Sequence, residues 1–562
     1  MNIEAKSAHD TDQNKYESPI RASFWLLAIV IGGINAYSSR FFINNDAIAY
    51  IEIGEAIKQF NWSDSANFTF SPLYSLLFVI FQSALQLNPF NEIIWAKGLN
   101  LLIFLATCGS LEIFLRFLKR EHTAITNAGE MPIAWVWIQT ILYSTFLVTS
   151  VVSVRLRLIN PDMLVFCLIL LTLSVLLWIR EKPTPHFKFI VLGILLGLGY
   201  LAKAFMFLLS PFFLILAAFS VGALRKSITR VAVAVLCFLL IIGPLLTILY
   251  LKKGSFSYGE GGRHVYAKLI GGQGVPDHPG KVLQEEPRIV IYDYNSSSTR
   301  PFTFDVTYWT IGIEPKYDHG AHIGLFLRNL MEIPEQSHWL WAILVWALFQ
   351  ICIGTFVIGR IFPVSPQILL LLTAIAGIFL FAMISMEPRY VAPFLFVGTA
   401  GLVFGIRLGQ VWKVFRRFGT NELLSLALVI LLLGSVLECS FDEAGRGLSF
   451  QDGKHSYQRA YREETRVGYF LNKHGIVSGN HVAVVGSPPI QWARMAGVRV
   501  IGEIEDHEKF LDASTADRLV YLGLLRNEGI AAVIARGTEW QKLAGEGWLQ
   551  VPGTDTYWAL LL

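Results

Sequence analysis

The sequence predicts a polytopic α-helical membrane protein with about eleven transmembrane helices and a C-terminal extracytoplasmic α/β domain. Three observations carry this prediction. Of the 562 residues, 54% are hydrophobic and only 16% charged, where an ordinary soluble domain has about 45–50% and about 25%. Apolar runs long enough to span a hydrocarbon core of about 30 Å recur along the first four-fifths of the chain. Beyond residue 438 the pattern changes to short β-rich segments alternating with helical ones. These features exclude disorder, collagen-like repeats and an ordinary cytosolic enzyme. A net charge of +4 from 46 basic and 42 acidic residues leaves no basic field for nucleic acid. Cys108, Cys167, Cys237, Cys352 and Cys439 have no metal-type or redox-type spacing.

Residues 1–21 read as a cytoplasmic tail, of mixed charge and with no small-residue cleavage site after the apolar run that follows. The eleven apolar runs fall near 22–39, 92–116, 132–152, 161–179, 187–203, 204–222, 228–250, 338–358, 366–384, 389–406 and 421–438. A shorter run, Pro72–Leu87, is placed by charge counting, because cytoplasmic loops are enriched in Lys and Arg. If it does not cross, the cytoplasmic loops hold Arg116, Lys119, Arg120, Arg180, Lys182, Lys188, Arg225, Lys226, Arg230, Arg360, Arg407, Lys413, Arg416 and Arg417. The short outside turns then hold only Arg155, Arg157, Lys203 and Arg389. A crossing at 72–87 would reverse most of these loops. The run is therefore expected to lie along the outer interface as an amphipathic helix.

This topology gives a transmembrane domain over 22–438 with extracytoplasmic loops at 40–91 and 252–337, followed by an extracytoplasmic α/β domain over 439–562. In that domain the pattern predicts helices near 466–472, 490–495 and 516–528, and strands near 481–485, 498–504 and 530–535. Such alternation predicts a largely parallel sheet. Gly486-Ser487-Pro488-Pro489 follows the first strand, but its prolines lack the N–H donors of a phosphate loop, so it reads as a turn.

Ionisable groups are nearly absent from the middles of the runs and gather at their outer ends. Ion pumps and proton-coupled transporters need such groups along a path through the bilayer. A reaction at the outer interface suits the pattern better. Asp46, after the first run, has two readings: a helix N-cap or a carboxylate that takes a proton. Arg155 and Arg157, just before Asn160-Pro161-Asp162, break the charge rule and ask for an anionic partner, either a lipid headgroup or a phosphorylated substrate. Asp162 is again a cap or a site residue. Lys203 either snorkels or meets a phosphate. A carboxylate for a hydroxyl and cations for a phosphate leaving group are what displacement at a sugar carbon requires.

With these motifs in place the chain resembles the GT-C glycosyltransferases that use polyprenyl-phosphate sugars. The likeness is greatest to the bacterial family-39-like group of aminoarabinose transferases and protein O-mannosyltransferases. It covers roughly residues 20–405. The motifs are Asp46-Ala-Ile-Ala-Tyr50, Ser71-Pro72-Leu73-Tyr74, Asn160-Pro161-Asp162, Leu201-Ala202-Lys203 and Glu387-Pro388-Arg389-Tyr390-Val-Ala-Pro393. The resemblance implies Asp46 as catalytic base and Lys203 on the donor phosphate. Asp162, Tyr50, Arg389 and Tyr390 would line the cavity, and Arg155 and Arg157 are further phosphate candidates on electrostatic grounds. Many relatives have Asp-Glu where this chain has Asp46-Ala47, so no metal ligands are assigned and a divalent cation stays open. Glu52 and Glu55 do not replace the missing glutamate.

Tyr308-Trp309, Tyr317-Asp318-His319 and the Tyr258–His264 segment are candidates for shaping the acceptor side. The implied partners are a polyprenyl-phosphate-linked sugar, a glycan, lipid or protein acceptor, and the bilayer. The implied location is a bacterial inner membrane with the active site outside. A lipid-linked glycan flippase and a non-catalytic relative are the alternatives.

Overall fold

The computed structural model describes residues 2–562 except 45, 183, 222–223, 271–279, 293–297, 301–315, 409–419, 449–456 and 487–488. The chain divides into two compact units. One comprises Met1–Tyr37, Gly98–Thr247 and Asp318–Gly445, the other Ser38–Lys97, Ile248–Tyr317 and Arg446–Leu562.

Each of the eleven apolar runs forms a helix or part of one. Among the described residues six helices are long and apolar enough to cross a membrane: Tyr16–Ser38, Glu92–Asn127, Trp135–Val154, Asp162–Arg180, Ser227–Lys253 and Glu422–Gly447. A seventh span arises if His319–Gln336 and Trp339–Ile353, bent by 88°, count as one. Most of the difference from eleven lies in length, and Pro388–Gly405, at 18 residues, is long enough but is not among the helices apolar enough to count. His186–Ala202, Met206–Ser220 and Pro366–Ala382 are apolar but shorter, because turns at Lys203 and around residues 383–387 cut the runs.

The first unit is a helical assembly whose close contacts depend on small residues. A side chain at Gly193 would meet the carbonyl oxygen of Ala234 at 2.2 Å, and one at Gly377 would meet the Phe394 ring at 2.1 Å. Small residues let helix backbones approach in this way where lipid offers no hydrophobic drive for association. Pro366–Ala382 starts at Ser365, whose side chain accepts from the N–H of Ile368, with Pro at the first helical turn. It packs against Pro388–Gly405, and this second helix opens at Arg389 and Tyr390.

In the second unit, helix Ala47–Lys58 packs on helix Leu73–Leu85, where Gly54 comes close to the Ser75 carbonyl oxygen. The 13 residues of Leu73–Leu85 rise about 20 Å. Most of this unit is built around a seven-stranded sheet of order β1-β2-β6-β5-β7-β9-β8. The strands are β1 Lys281–Gln284, β2 Ile289–Ile291, β5 His481–Val485, β6 Arg499–Ile504, β7 Ile530–Arg536, β8 Leu549–Gln550 and β9 Tyr557–Leu561; β3 Gly354–Phe356 and β4 Ile406–Leu408 form a separate pair in the first unit.

The expected largely parallel sheet is corrected. Only β6-β5-β7 is parallel, and the pairs on both flanks are antiparallel. Helical crossovers connect the three central strands, as parallel pairing requires. The flanks are short hairpins, and β1 and β2 come from the segment expected to be a loop. Helices Gly261–Leu269 and His319–Gln336 also lie within 252–337. Two apolar layers cover the sheet faces, one around Trp492, Val484 and Phe470, the other around Trp540, Trp548 and Phe510.

Candidate functional site

In the first unit, three separate helix ends place four of the sequence-predicted residues together. Asp162 opens helix Asp162–Arg180, and its N–H is accepted by the Asn160 side chain at 3.1 Å. The preceding loop is fastened by Asn100, which donates to the carbonyls of Leu156 and Leu158 at 3.2 and 2.8 Å. Lys203 lies in the extended break after helix His186–Ala202. Arg389 and Tyr390 open helix Pro388–Gly405.

The Lys203 ammonium donates to Asp162 Oδ1, and Arg389 Nε lies 3.6 Å from Asp162 Oδ2. The same ammonium sits 3.5 Å from the centre of the Tyr390 ring, and an Arg389 guanidinium N–H donates to the Tyr390 hydroxyl at 3.2 Å. Phe381 stacks on Tyr390 at 5.2 Å and fixes its plane. The Asp162 side chain is 4% exposed, whereas Lys203 and Arg389 are 22% and 20% exposed. The carboxylate thus lies beneath the cations. Two cations meet at this carboxylate, and both reach further toward solvent than it does. A phosphate is the natural ligand for such an arrangement.

Arg157 lies outside this cluster, donating to Glu443 at 3.0 Å. Arg155 is exposed and has φ +63° where the π-helical turn Thr149–Val154 ends. That backbone conformation is costly for a bulky residue.

In the second unit, Asp46 stands at the N-cap position of helix Ala47–Lys58 in helical conformation, and its side chain makes no capping hydrogen bond. Tyr50 is buried, edge-on to Phe70 at 5.1 Å and to Tyr74 at 5.5 Å, so it packs within the helix layer. Glu52 is buried and accepts the Thr299 N–H at 2.6 Å. Burial pushes its pKa up to about 7, against the opposing pull of Arg494 and the Thr299 bonds.

Sequence reasoning missed Arg494. Its guanidinium donates to both oxygens of Glu55 at 2.6 Å and to Glu92 at 2.9 and 3.1 Å, while only 8% exposed. An arginine inside the apolar Gln491–Ala496 helix was the available signal, since a buried cation needs partners. Lys97 was also missed. It is 1% exposed, with its ammonium 5.5 Å from the Phe42 ring centre.

Tyr308 and Trp309 lie outside the described residues. Tyr317 stacks on Tyr266 at 6.1 Å, and Asp318 caps the helix that begins at His319 by accepting the Ala321 N–H. Tyr258 is partly buried, and the nearby Glu260 accepts from Lys253 at 2.5 Å. Among the described residues no group of three or more His, Cys, Asp or Glu side chains converges as a metal site.

No family model matches the chain, and no curated protein matches it in sequence. Solved structures match over nearly its whole length. The crystal structure of ArnT from Cupriavidus metallidurans bound to undecaprenyl phosphate is 11% identical, covers 96% of this chain and 97% of its own, and superposes with a TM-score of 0.58. The apo state of the same protein gives 0.56 at the same identity and coverage. An Archaeoglobus fulgidus oligosaccharyltransferase is 12% identical over 94% of this chain and 70% of its own, with a TM-score of 0.47. The chain therefore shares its fold with ArnT from Cupriavidus metallidurans.

Proposed function

We propose that this protein is an integral membrane glycosyltransferase that moves a monosaccharide from a polyprenyl-phosphate carrier to an acceptor hydroxyl. The observation that carries the reading is the Asp162–Lys203–Arg389–Tyr390 cluster, on a fold shared with a protein crystallised with undecaprenyl phosphate. Lys203 and Arg389 hold the carrier phosphate and balance the charge it gains as the glycosidic bond breaks. Asp162 holds both cations in place. Asp46 takes the proton of the acceptor hydroxyl as its oxygen bonds to the sugar carbon. The phosphate leaves with the bonding electron pair, and the sugar carbon is inverted.

The eleven apolar helices would cross a bacterial inner membrane, with helix Leu73–Leu85 along its outer interface. The 439–562 domain and the reaction would lie on the outer side. The acceptor is a glycan, a lipid or a protein.

The test is to purify the protein from its native membrane and identify co-bound lipid by mass spectrometry. A polyprenyl phosphate bearing one sugar is expected, lost in Lys203→Ala. Movement of a lipid-linked glycan across reconstituted vesicles without cleavage of the sugar–phosphate bond would instead make the protein a flippase.

A further inference from the structure

Asp46 is bracketed by residues that belong to the packing of the C-terminal segment. Phe41 lies against Tyr461 at 5.0 Å and Phe42 against Tyr457 at 4.9 Å, both from helix Tyr457–Lys473. Ile43 packs on the sheet layer formed by Val467, Phe470, Val484 and Trp492, and Ile48 is a buried member of it. Residues on both sides of Asp46 are thus core residues of the α/β assembly.

The helix that Asp46 begins is then held further along by polar contacts. Glu52 accepts the Thr299 N–H, and Glu55 receives two parallel hydrogen bonds from Arg494 at 2.6 Å. Arg494 also engages Glu92, which is 0% exposed. Apolar packing resists withdrawal of a helix but only weakly resists sliding or rotation. A bidentate guanidinium–carboxylate pair has directional geometry and supplies that constraint.

We propose that Arg494 is a positioning residue for Asp46: by clamping Glu55 and Glu92 it sets the rotation and axial position of helix Ala47–Lys58. The C-terminal segment then acts as part of the catalytic apparatus and not as a separable binding module. This rests on the proposed role of Asp46 as base. A rigid helix transmits a shift along its length, and about 1 Å of misplacement of a catalytic group can lower a rate a hundredfold.

The test uses the full-length protein in lipid nanodiscs, with Arg494→Met, Arg494→Lys and Glu55→Gln. Arg518→Met is the control, because Arg518 pairs with Glu546 at 2.5 Å within the same C-terminal segment and holds neither Glu55 nor Glu92. At equal folded fraction, Arg494→Met should lower kcat at least tenfold while donor KM stays within twofold. Arg494→Lys should recover part of the loss. Glu55→Gln, which keeps the Arg494–Glu92 pair, should fall between wild type and Arg494→Met, and it serves if Arg494→Met does not fold. Hydrogen exchange over 47–58 should quicken in Arg494→Met and stay unchanged in Arg518→Met.

Equal kcat losses in Arg494→Met and Arg518→Met, or unchanged exchange over 47–58 in an active protein, would overturn the proposal. If wild type transfers no sugar but exchange still quickens in Arg494→Met, the clamp stands and the reading of function fails.

Discussion

The carboxylate of Asp162 accepts a hydrogen bond from the ammonium of Lys203, and of the two side chains the carboxylate is the more deeply buried. An incoming phosphate would compete with Asp162 for the same cation. On the proposed reading, Asp162 would limit anion affinity while holding Lys203 and Arg389 in place. In Asp162→Asn the cluster gains one unit of positive charge. Polyprenyl phosphate should bind several-fold tighter at low salt, and kcat should fall about tenfold because the cations are no longer aligned. Equilibrium binding and steady-state transfer read the two effects separately. Weaker binding with unchanged kcat would contradict this account.

Asp46→Asn should lower transfer by at least about a hundredfold, the lower range for losing a general base, with donor binding unchanged. Asn is as good an N-cap residue as Asp, so the melting temperature should move less than the loss of a cap, about 1 kcal/mol, would produce. Wild-type turnover in this variant would remove Asp46 from the mechanism.

Glu52 and Glu464 are both buried carboxyls raised by burial to about 7. Glu464 accepts from the Tyr557 hydroxyl and from the Trp492 N–H. Both bind protons more tightly in the folded than in the unfolded chain, whose ordinary value is 4.5. Stability is therefore greatest below the unfolded value and falls as pH rises through about 7. Glu52→Gln keeps an acceptor for the Thr299 N–H and removes the charge. It should raise the apparent melting temperature at pH 8, by an amount worth up to about 3 kcal/mol, and change little at pH 4. An equal effect at both pH values would refute the assignment.

Gly377→Ala places a methyl group against the Phe394 ring, while at Gly434 an added methyl meets nothing within 4 Å. The first substitution should destabilise by about 1–3 kcal/mol, as overpacking does. It should also disturb the helix that carries Arg389. Gly434→Ala should be neutral. Thermal unfolding of the two variants, measured side by side in the same detergent, checks the difference.

The sequence made the local features legible. Hydrophobic runs mark every long apolar helix, and β5 appears where its Val-rich segment lies. Lys203 and Arg389 stood out because they break the charge rule, and the structure brings both to Asp162. Long-range partners were not legible. Arg157 broke the same rule, but its partner Glu443 lies 286 positions away. Arg494 drew no attention because its carboxylates lie about 400 positions earlier, in two different segments. Periodicity likewise indicates a strand without indicating its neighbour, so the antiparallel flanks of the sheet went unseen.

The pairing of β2 with β6 also constrains how the chain is made. Tyr292 donates to Glu503 across 211 positions, next to strands that must meet edge to edge. During synthesis the β1–β2 hairpin emerges first and waits while all the helices from His319 to Leu448 are produced. Until β6 appears, one edge of that hairpin has open hydrogen-bonding groups and invites wrong partners. A chain stopped at residue 440 would keep that edge permanently. Loss of activity in such a truncation would report failed biogenesis, and point substitutions at Arg494 or Glu55 are the cleaner way to ask what the C-terminal segment contributes.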